Sequence, residues 1–325
     1  MPQSDNRYGF QGRLTEDYPS QIIIDVTNIC NLHCLHCPQS TVSGVPGYNI
    51  QHIDVNIHAK LIHDVANNSN DCCQYIRYTA MGEPLLHPQI FDMLDYAKQH
   101  SGTSISLTTN GTLLHKGARQ RILQSVDVID ISLDALSKET YAAVRRGGNH
   151  DKVYANVQAL IAENKAAQNP LRVVVTFIEQ TANSHETEAF KHYWENAGAD
   201  YVIIRRLHSC AGKIEDVAVK MHASSAAENR YPCLYPWERL TLAPEGTLGF
   251  CPANWTHQAD FAHFSDTTIA AAWKSDFMTA LREAHTKNYF STNPLCAQCP
   301  DWSATRWPHV DRSFADMISD FRGKK

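Results

Sequence analysis

The run Ile22-Ile23-Ile24-Asp25-Val26-Thr27-Asn28-Ile29-Cys30-Asn31-Leu32-His33-Cys34-Leu35-His36-Cys37-Pro38 decides how the rest of the chain reads. Its first six residues are mostly β-branched and apolar, the pattern of a buried strand. Its last nine hold three cysteines at C-x3-C-x2-C spacing on the loop leaving that strand. Three thiolates so placed can hold three corners of an iron–sulfur cube, with one iron left without a protein ligand. Zinc is the competing occupant, with His33 or His36 as fourth ligand. An open iron at the mouth of a strand is a place for chemistry, so function is sought on this loop.

Downstream, strand-like and helix-like segments alternate as far as Arg206. Strands are predicted at Ile22–Thr27, Tyr75–Thr79, Ser104–Thr109, Val128–Leu133, Arg172–Ile178 and Tyr201–Arg206. Helices are predicted at Ala59–Asn67, Gln89–His100, Lys116–Ser125, Lys152–Lys165 and Glu186–Ala197. Val153, Val157, Leu160 and Ile161 have the spacing of a helix laying one face on a sheet. Six such units imply a parallel sheet with right-handed crossovers, either a partial barrel or a doubly wound sheet. In both, the site lies at the C-terminal ends of the strands, where Cys30–Cys37 stands.

Other chemistry falls on the same rim. Strand two ends in Thr79-Ala80-Met81-Gly82-Glu83-Pro84-Leu85, a small-residue turn that admits close backbone approach, with a carboxylate for an ammonium group. Strand three ends in Leu107-Thr108-Thr109-Asn110-Gly111 and strand four in Ile131-Ser132-Leu133-Asp134. Singly these read as a turn, a loop start and a helix cap; together on one rim they read as a site.

Over residues 20–210 the chain resembles radical S-adenosylmethionine (radical SAM) enzymes. C-x3-C-x2-C is that family's cluster motif, and Met81-Gly82-Glu83-Pro84 matches its Gly-Gly-Glu-Pro element with Met in place of the first Gly. The resemblance implies an α/β fold with a TIM-like partial (β/α)6 barrel. It implies that Cys30, Cys34 and Cys37 bind a 4Fe–4S cluster whose fourth iron is chelated by SAM. By the same resemblance, His36 packs near the adenine, Gly82 and Glu83 receive the methionine moiety, and Thr109 and Ser132 contact the ribose or carboxylate. The family's reaction reduces SAM to methionine and a 5′-deoxyadenosyl radical that removes hydrogen from an unactivated C–H.

After Cys210 the rhythm breaks. Residues 211–230 are small and polar and read as a linker or mobile loop. Leu240 to Cys251 reads as a hairpin turning at Pro244-Glu245-Gly246. Asp266 or Thr267 is the predicted cap of one helix whose apolar face is Ile269, Trp273, Phe277, Leu281 and Ala284. Cys233, Cys251, Cys296 and Cys299, with Ala272-Trp273-Lys274-Ser275 between, resemble the SPASM/twitch extension and imply one auxiliary 4Fe–4S cluster. Four thiolates fill every corner, so such a cluster transfers electrons; a structural zinc knot is the alternative. The expected organisation is an extension over 1–19, a core over 20–215, and linker, auxiliary iron–sulfur domain and tail over 216–325.

Of the remaining cysteines, Cys72 and Cys73 are expected in core packing. Cys210 follows strand six in Arg205-Arg206-Leu207-His208-Ser209-Cys210 and is either a hydrogen-atom donor to a substrate radical or a buried small hydrophobe. Arg205 either anchors a substrate anion or pairs with a neighbouring acid. The 325 residues carry a formal net charge of −5, with 43% hydrophobic and 19% charged side chains. No basic block suggests nucleic acid, and no apolar run reaches the roughly 20 residues of a membrane helix. The polar first twenty residues lack a secretory h-region, so a cytoplasmic protein is expected, and its ten cysteines read as metal ligands rather than disulfides.

The resulting expectation is an oxidoreductase that dehydrogenates a sugar or aminocyclitol alcohol, receiving electrons from flavodoxin or ferredoxin. Epimerisation with Cys210 as donor and maturation of a ribosomal peptide are the alternatives. About twenty residues before strand one are too few for a leader-recognition domain. A non-enzymatic electron carrier or zinc scaffold is the reading from another class.

Overall fold

The computed structural model describes residues 14–43, 49–168, 170–225, 230–255, 258–290 and 293–305. The tail after Trp307 and all but the last residues of the predicted extension lie outside them. Nine strands form one sheet in the order β6-β5-β4-β3-β2-β1-β7-β8-β9. The first six are β1 (Gln21–Ile24), β2 (Tyr75–Tyr78), β3 (Ser104–Thr109), β4 (Val128–Ser132), β5 (Arg172–Glu179) and β6 (Tyr201–Arg206). All six run parallel, with Ile22 opposite Ile76, Ile76 opposite Ile105 and Ile131 opposite Val175. β1 and β6 are not paired, so the sheet is open, as in the partial barrel that the resemblance implies.

Parallel neighbours require crossovers, and each is helical. Helices Val55–Asn68, Ile90–His100, Lys116–Ser125, His150–Ala166 and Thr187–Ala197 link the strands in turn. Their apolar stripes (Leu61 and Val65, Met93 and Leu94, Val157 and Leu160) are almost fully buried against the sheet. Asp54 and Asn149 cap the first and fourth of these helices through side-chain oxygens on the Asn56 and Lys152 N–H groups. A seven-residue helix, Lys138–Val144, is an element the sequence reading did not include. It follows the β4 exit and starts at a Ser137 cap.

Past β6 the observed course differs from two expectations. Glu215–Ser225 is a helix, not a linker, because Ile214 accepts from Val217 N and Ala218 N and starts the turn. The single helix expected from Ile269 onward is two: Ile269–Trp273, capped by Thr268, and Asp276–Lys287, capped by Ser275. Neither Asp266 nor Thr267 is the cap; Asp266 closes a short 3-10 turn. The predicted hairpin is β7 (Arg239–Leu242) with β8 (Thr247–Gly249), and β9 (Asp260–His263) extends it. β7 lies parallel to β1, so this segment continues the barrel sheet rather than forming a separate one.

Candidate active site

Because β1 to β6 are parallel, all their C-terminal ends open on one rim. β1 leads into the three-cysteine loop, which main-chain bonds pin to the end of helix Lys138–Val144. His33 N donates to Arg146 O and Leu35 N to Val144 O, each at 2.9 Å, and Cys37 N donates to Cys34 O at 3.1 Å. Arg145, buried just past that helix, directs Nη1 to Cys34 Sγ at 3.4 Å and Nη2 to Asp134 Oδ2 at 2.5 Å. Burial pulls the Arg145 pKa down, but the charges of Asp134 and Cys34 outweigh it, so the guanidinium stays cationic. Burial pushes the Cys37 thiol up to about 12 and raises Cys30 as well. These thiols keep their protons until a metal replaces them. Burial lowers the His36 pKa to about 4, against the opposing Asp134 charge, so its ring is neutral at pH 7.

The β2 exit is braced against this loop. Gly82 packs so tightly that a Cβ would stand 2.0 Å from Thr27 O and 2.5 Å from Ile29 O. Ala80 takes φ +119°, where a side chain is strained, and Asp25 carries the turn on bonds from Met81 N and Gly82 N. Glu83, 2% exposed, accepts from Thr109 Oγ1 and Asn110 N at 2.7 Å each and from Leu85 N at 3.1 Å. A carboxylate has about four acceptor sites, so Glu83 braces the β2 and β3 exits and keeps one site, on Oε2, for a further donor. The Thr109 hydroxyl is therefore engaged with Glu83 rather than open. Asn110 Nδ2 donates to Asn31 Oδ1 at 2.9 Å, which ties the β3 rim to the cysteine loop.

Inside the barrel, Asp130 on β4 collects partners from three strands. Its Oδ2 receives Arg77 Nη2 at 2.8 Å and Arg205 Nη2 at 2.7 Å, and its Oδ1 receives the Thr176 hydroxyl at 2.9 Å. Arg205 thus pairs with an acid, the second of its two expected states, while its side chain remains 37% exposed. Ser132 is half-buried at the β4 end, 3.5 Å from the Thr176 hydroxyl.

The four C-terminal cysteines converge. Cys233, Cys251, Cys296 and Cys299 line one cavity of about 650 Å³, which Arg77, Thr79 and Arg205 of the barrel also line. Burial raises all four thiols, to about 11 at Cys233 and about 12 at Cys299. Arg230 lies among them, donating Nη2 to Cys296 O at 2.6 Å with its guanidinium over the Phe290 ring. Arg282 holds the enclosing helices, with Nε on Pro236 O and Nη1 on Trp273 O.

Cys210 lies within electrostatic reach of both cysteine sets, of Cys37 in one and Cys299 in the other. It is 5% exposed, its thiol pKa is pushed up by burial, and its Sγ is 3.6 Å from His208 Nδ1. Cys210, Ala211 and Gly212 all take positive φ, at +54°, +57° and +90°. Asp301, two residues after Cys299, holds this bend by accepting from Ser209 N at 2.7 Å, Ser209 Oγ at 2.9 Å and Ala211 N at 2.7 Å. Cys73 is buried as expected, and Cys72 half-buried beside it.

Sequence reading missed Arg145, Asp130, Arg230 and Asp301. Arg145 had a signal, the Arg145-Arg146-Gly147-Gly148 run beyond Lys138–Val144. The partners of Asp130 lie 53 and 75 residues away and leave none. The residues fit the clusters that the spacing suggests. A cationic Arg145 faces Cys34, Arg230 lies among the second set, and the four C-terminal cysteines, Cys296 buried and the others half-buried, line one cavity.

A family model described as the radical SAM superfamily matches residues 24–178, and one described as an iron-sulfur cluster-binding domain, SPASM, matches residues 233–300. These domains imply SAM and 4Fe–4S clusters as cofactors. The chain is 28% identical over 200 residues to a probable GTP 3',8-cyclase of Methanococcus maripaludis, covering 62% of this chain and 61% of that protein. It therefore spans about three fifths of that relative's length. Among solved structures it is similar to BtrN in complex with AdoMet and 2-DOIA, with TM-score 0.58, 16% identity and coverage of 86% and 92% of the two chains. It is also similar to Streptococcus suis SuiB bound to precursor peptide SuiA, with TM-score 0.63, 12% identity and coverage of 87% and 70%. These likenesses establish the partial-barrel fold.

Proposed function

We propose that this chain, which joins a radical SAM domain to an SPASM iron–sulfur domain, is an oxidoreductase that dehydrogenates an alcohol carbon of a small polar substrate of the sugar or aminocyclitol class. One observation carries the reading: the four auxiliary cysteines and the barrel residues Arg77, Thr79 and Arg205 are walls of the same cavity. A group held by those cysteines borders the space a substrate enters and has no corner left to bind it, which suits an electron acceptor.

Cys30, Cys34 and Cys37 would hold the SAM-binding cluster, and Cys233, Cys251, Cys296 and Cys299 the auxiliary one. When bound, these groups supply one-electron, hydrogen-abstracting chemistry and a sink for the second electron. The protein's own residues set the stage. Arg145, fixed by Asp134, keeps a positive charge beside Cys34 and is the cation for a SAM carboxylate. The remaining acceptor site of Glu83 takes the methionine ammonium, with Gly82 fixing the turn. The neutral His36 ring and Ser132 bound the nucleoside side, while Thr109 acts through Glu83. Arg205 and Arg77 orient the substrate from the barrel floor, and the enclosing wall excludes water. Flavodoxin or ferredoxin is the proposed electron donor. The experiment is turnover by Cys296→Ala: SAM cleavage without ketone product supports the reading, and full ketone yield refutes it.

Cys210 supports a second reading, redox-neutral epimerisation. Its thiol is buried within electrostatic reach of Cys37 and Cys299, and burial keeps its hydrogen on sulfur, as a hydrogen-atom donor requires. Turnover in deuterium oxide separates the two, since an epimerase installs solvent deuterium on carbon and a dehydrogenase yields a ketone.

A further inference from the structure

We infer that Arg145, held in place by Asp134, raises the reduction potential of the cluster on Cys30, Cys34 and Cys37, so that it accepts its electron more readily. The inference goes beyond the oxidoreductase reading, since it holds for any substrate. It rests on one part of that reading, the assignment of those three cysteines to the SAM-binding cluster.

Main-chain bonds set Arg145 opposite Cys34. The residues flanking Cys34 donate to the residues flanking Arg145, His33 N to Arg146 O and Leu35 N to Val144 O, both at 2.9 Å. Between these two bonds, Arg145 Nη1 reaches Cys34 Sγ at 3.4 Å. Both side chains are buried, so water screens the guanidinium charge on sulfur only weakly. Asp134 fixes the other end of the fork. Fully buried, it pairs with Arg145 Nη2 through Oδ2 at 2.5 Å and accepts from Ile178 N on Oδ1 at 2.7 Å. Its carbonyl accepts from Asn183 Nδ2 at 2.8 Å. The order is therefore sulfur, guanidinium, carboxylate, with the planar fork setting both distances.

Reduction adds one negative charge to a cube. Hydrogen bonds to its sulfurs and the net charge around it set how readily that charge is taken up. A cation in contact with a ligating sulfur stabilises the reduced form, and an anion nearby destabilises it. The Arg145 charge reaches Cys30 and Cys37 as well as Cys34. Glu83 is a second acid whose charge acts on Cys30. With Asp134 and Glu83 both close to the loop, loss of the guanidinium leaves the anions unopposed there. The two members of the pair thus have opposite effects: removing Arg145 lowers the potential, and removing the Asp134 charge raises it. A purely bracing role would give both substitutions the same sign or none.

The test is a redox titration without SAM, followed by electron paramagnetic resonance. It uses the anaerobically reconstituted full chain carrying Cys296→Ala and Cys299→Ala, so that one cluster signal is read. Arg145→Met is expected to lower the ratio of reduced to oxidised cluster at a fixed potential about tenfold or more, a downward shift of about 59 mV or more for one electron. Arg145→Lys, which keeps the charge without the fork, falls between that variant and the parent. Asp134→Asn shifts the potential upward. Asparagine suits the left-handed backbone of residue 134, at φ +59°, and keeps an acceptor for Ile178 N. An unmoved potential in Arg145→Met, or shifts of the same sign in Arg145→Met and Asp134→Asn, overturns the proposal. Should Arg145→Met hold no iron, Asp134→Asn decides: an upward shift supports the proposal, and an unmoved or lowered potential overturns it. A parent chain with no cubane at the triplet removes the cluster assignment and the inference with it, whereas an assembled cubane indifferent to both substitutions removes the inference alone.

Discussion

A methyl group on Gly82 would stand 2.0 Å from one carbonyl oxygen and 2.5 Å from another, both on the β1 exit. Neither oxygen belongs to a side chain that can swing away, so the β2 turn itself would shift. Gly82→Ala is therefore expected to abolish SAM binding by the reconstituted protein while leaving the auxiliary cluster's spectrum in place; a spectroscopic titration with SAM checks it. His58 gives a prediction about pH. It is 2% exposed, its Nε2 is 2.7 Å from the Tyr78 hydroxyl, and burial lowers its pKa to about 4. The unfolded chain, with an ordinary His pKa near 6.5, binds the proton first as pH falls. The His58 contribution is thus fully present above about pH 6.5 and is lost between there and pH 4, on the order of 3 kcal/mol in all. Urea denaturation at pH 7 and pH 5 should show a smaller drop for His58→Gln than for the parent chain. Sequence made the cysteines and Gly82 legible because their chemistry and spacing are local. Asp130 was not legible, since its meaning comes only from strands that meet in the fold.

At the scale of elements, the bend that carries Cys210 and its neighbours is held from a distance. Asp301 belongs to the auxiliary loop, yet its carboxylate fixes Ser209 and Ala211 just past β6. Asp301→Asn can keep one accepting oxygen only, so residues 209–214 should exchange amide hydrogen at least about tenfold faster, with the helix Thr187–Ala197 unaffected. Hydrogen-exchange mass spectrometry measures both segments together. Ser275→Ala should destabilise the chain by about 1 kcal/mol through loss of the cap on Met278 N, read as a lower urea midpoint. That cap also shows why one helix was expected where two exist. The apolar spacing from Ile269 to Leu281 continues unbroken through the break, and only Ser275-Asp276 signals it. The helix Glu215–Ser225 was hidden for the opposite reason: it has little apolar periodicity, and Val219 is 62% exposed. Ser104–Thr109 and Lys116–Ser125 were legible to the residue because pattern and punctuation agree there. β1 ends three residues before its predicted limit: Asp25 N still donates to Leu242 O at 2.9 Å, but from there the chain turns, and the Asp25 side chain carries the Met81–Gly82 turn.

At the scale of the molecule, one sheet joins the two cysteine sets. β7 lies beside β1, so the segment that bears Cys233 and Cys251 is built onto the strand that delivers Cys30. Removing the auxiliary ligands should then leave the barrel site formed. Cys296→Ala/Cys299→Ala protein, reconstituted anaerobically, is expected to fall from about eight irons per chain to about four and to keep its response to SAM. That same variant gives the most direct test of the central claim, that Cys30, Cys34 and Cys37 leave one iron open for SAM. Its dithionite-reduced electron paramagnetic resonance spectrum should show a single cubane signal whose g values move when SAM is added. A variant that holds zinc without sulfide, or a cubane signal unmoved by SAM, would contradict the account.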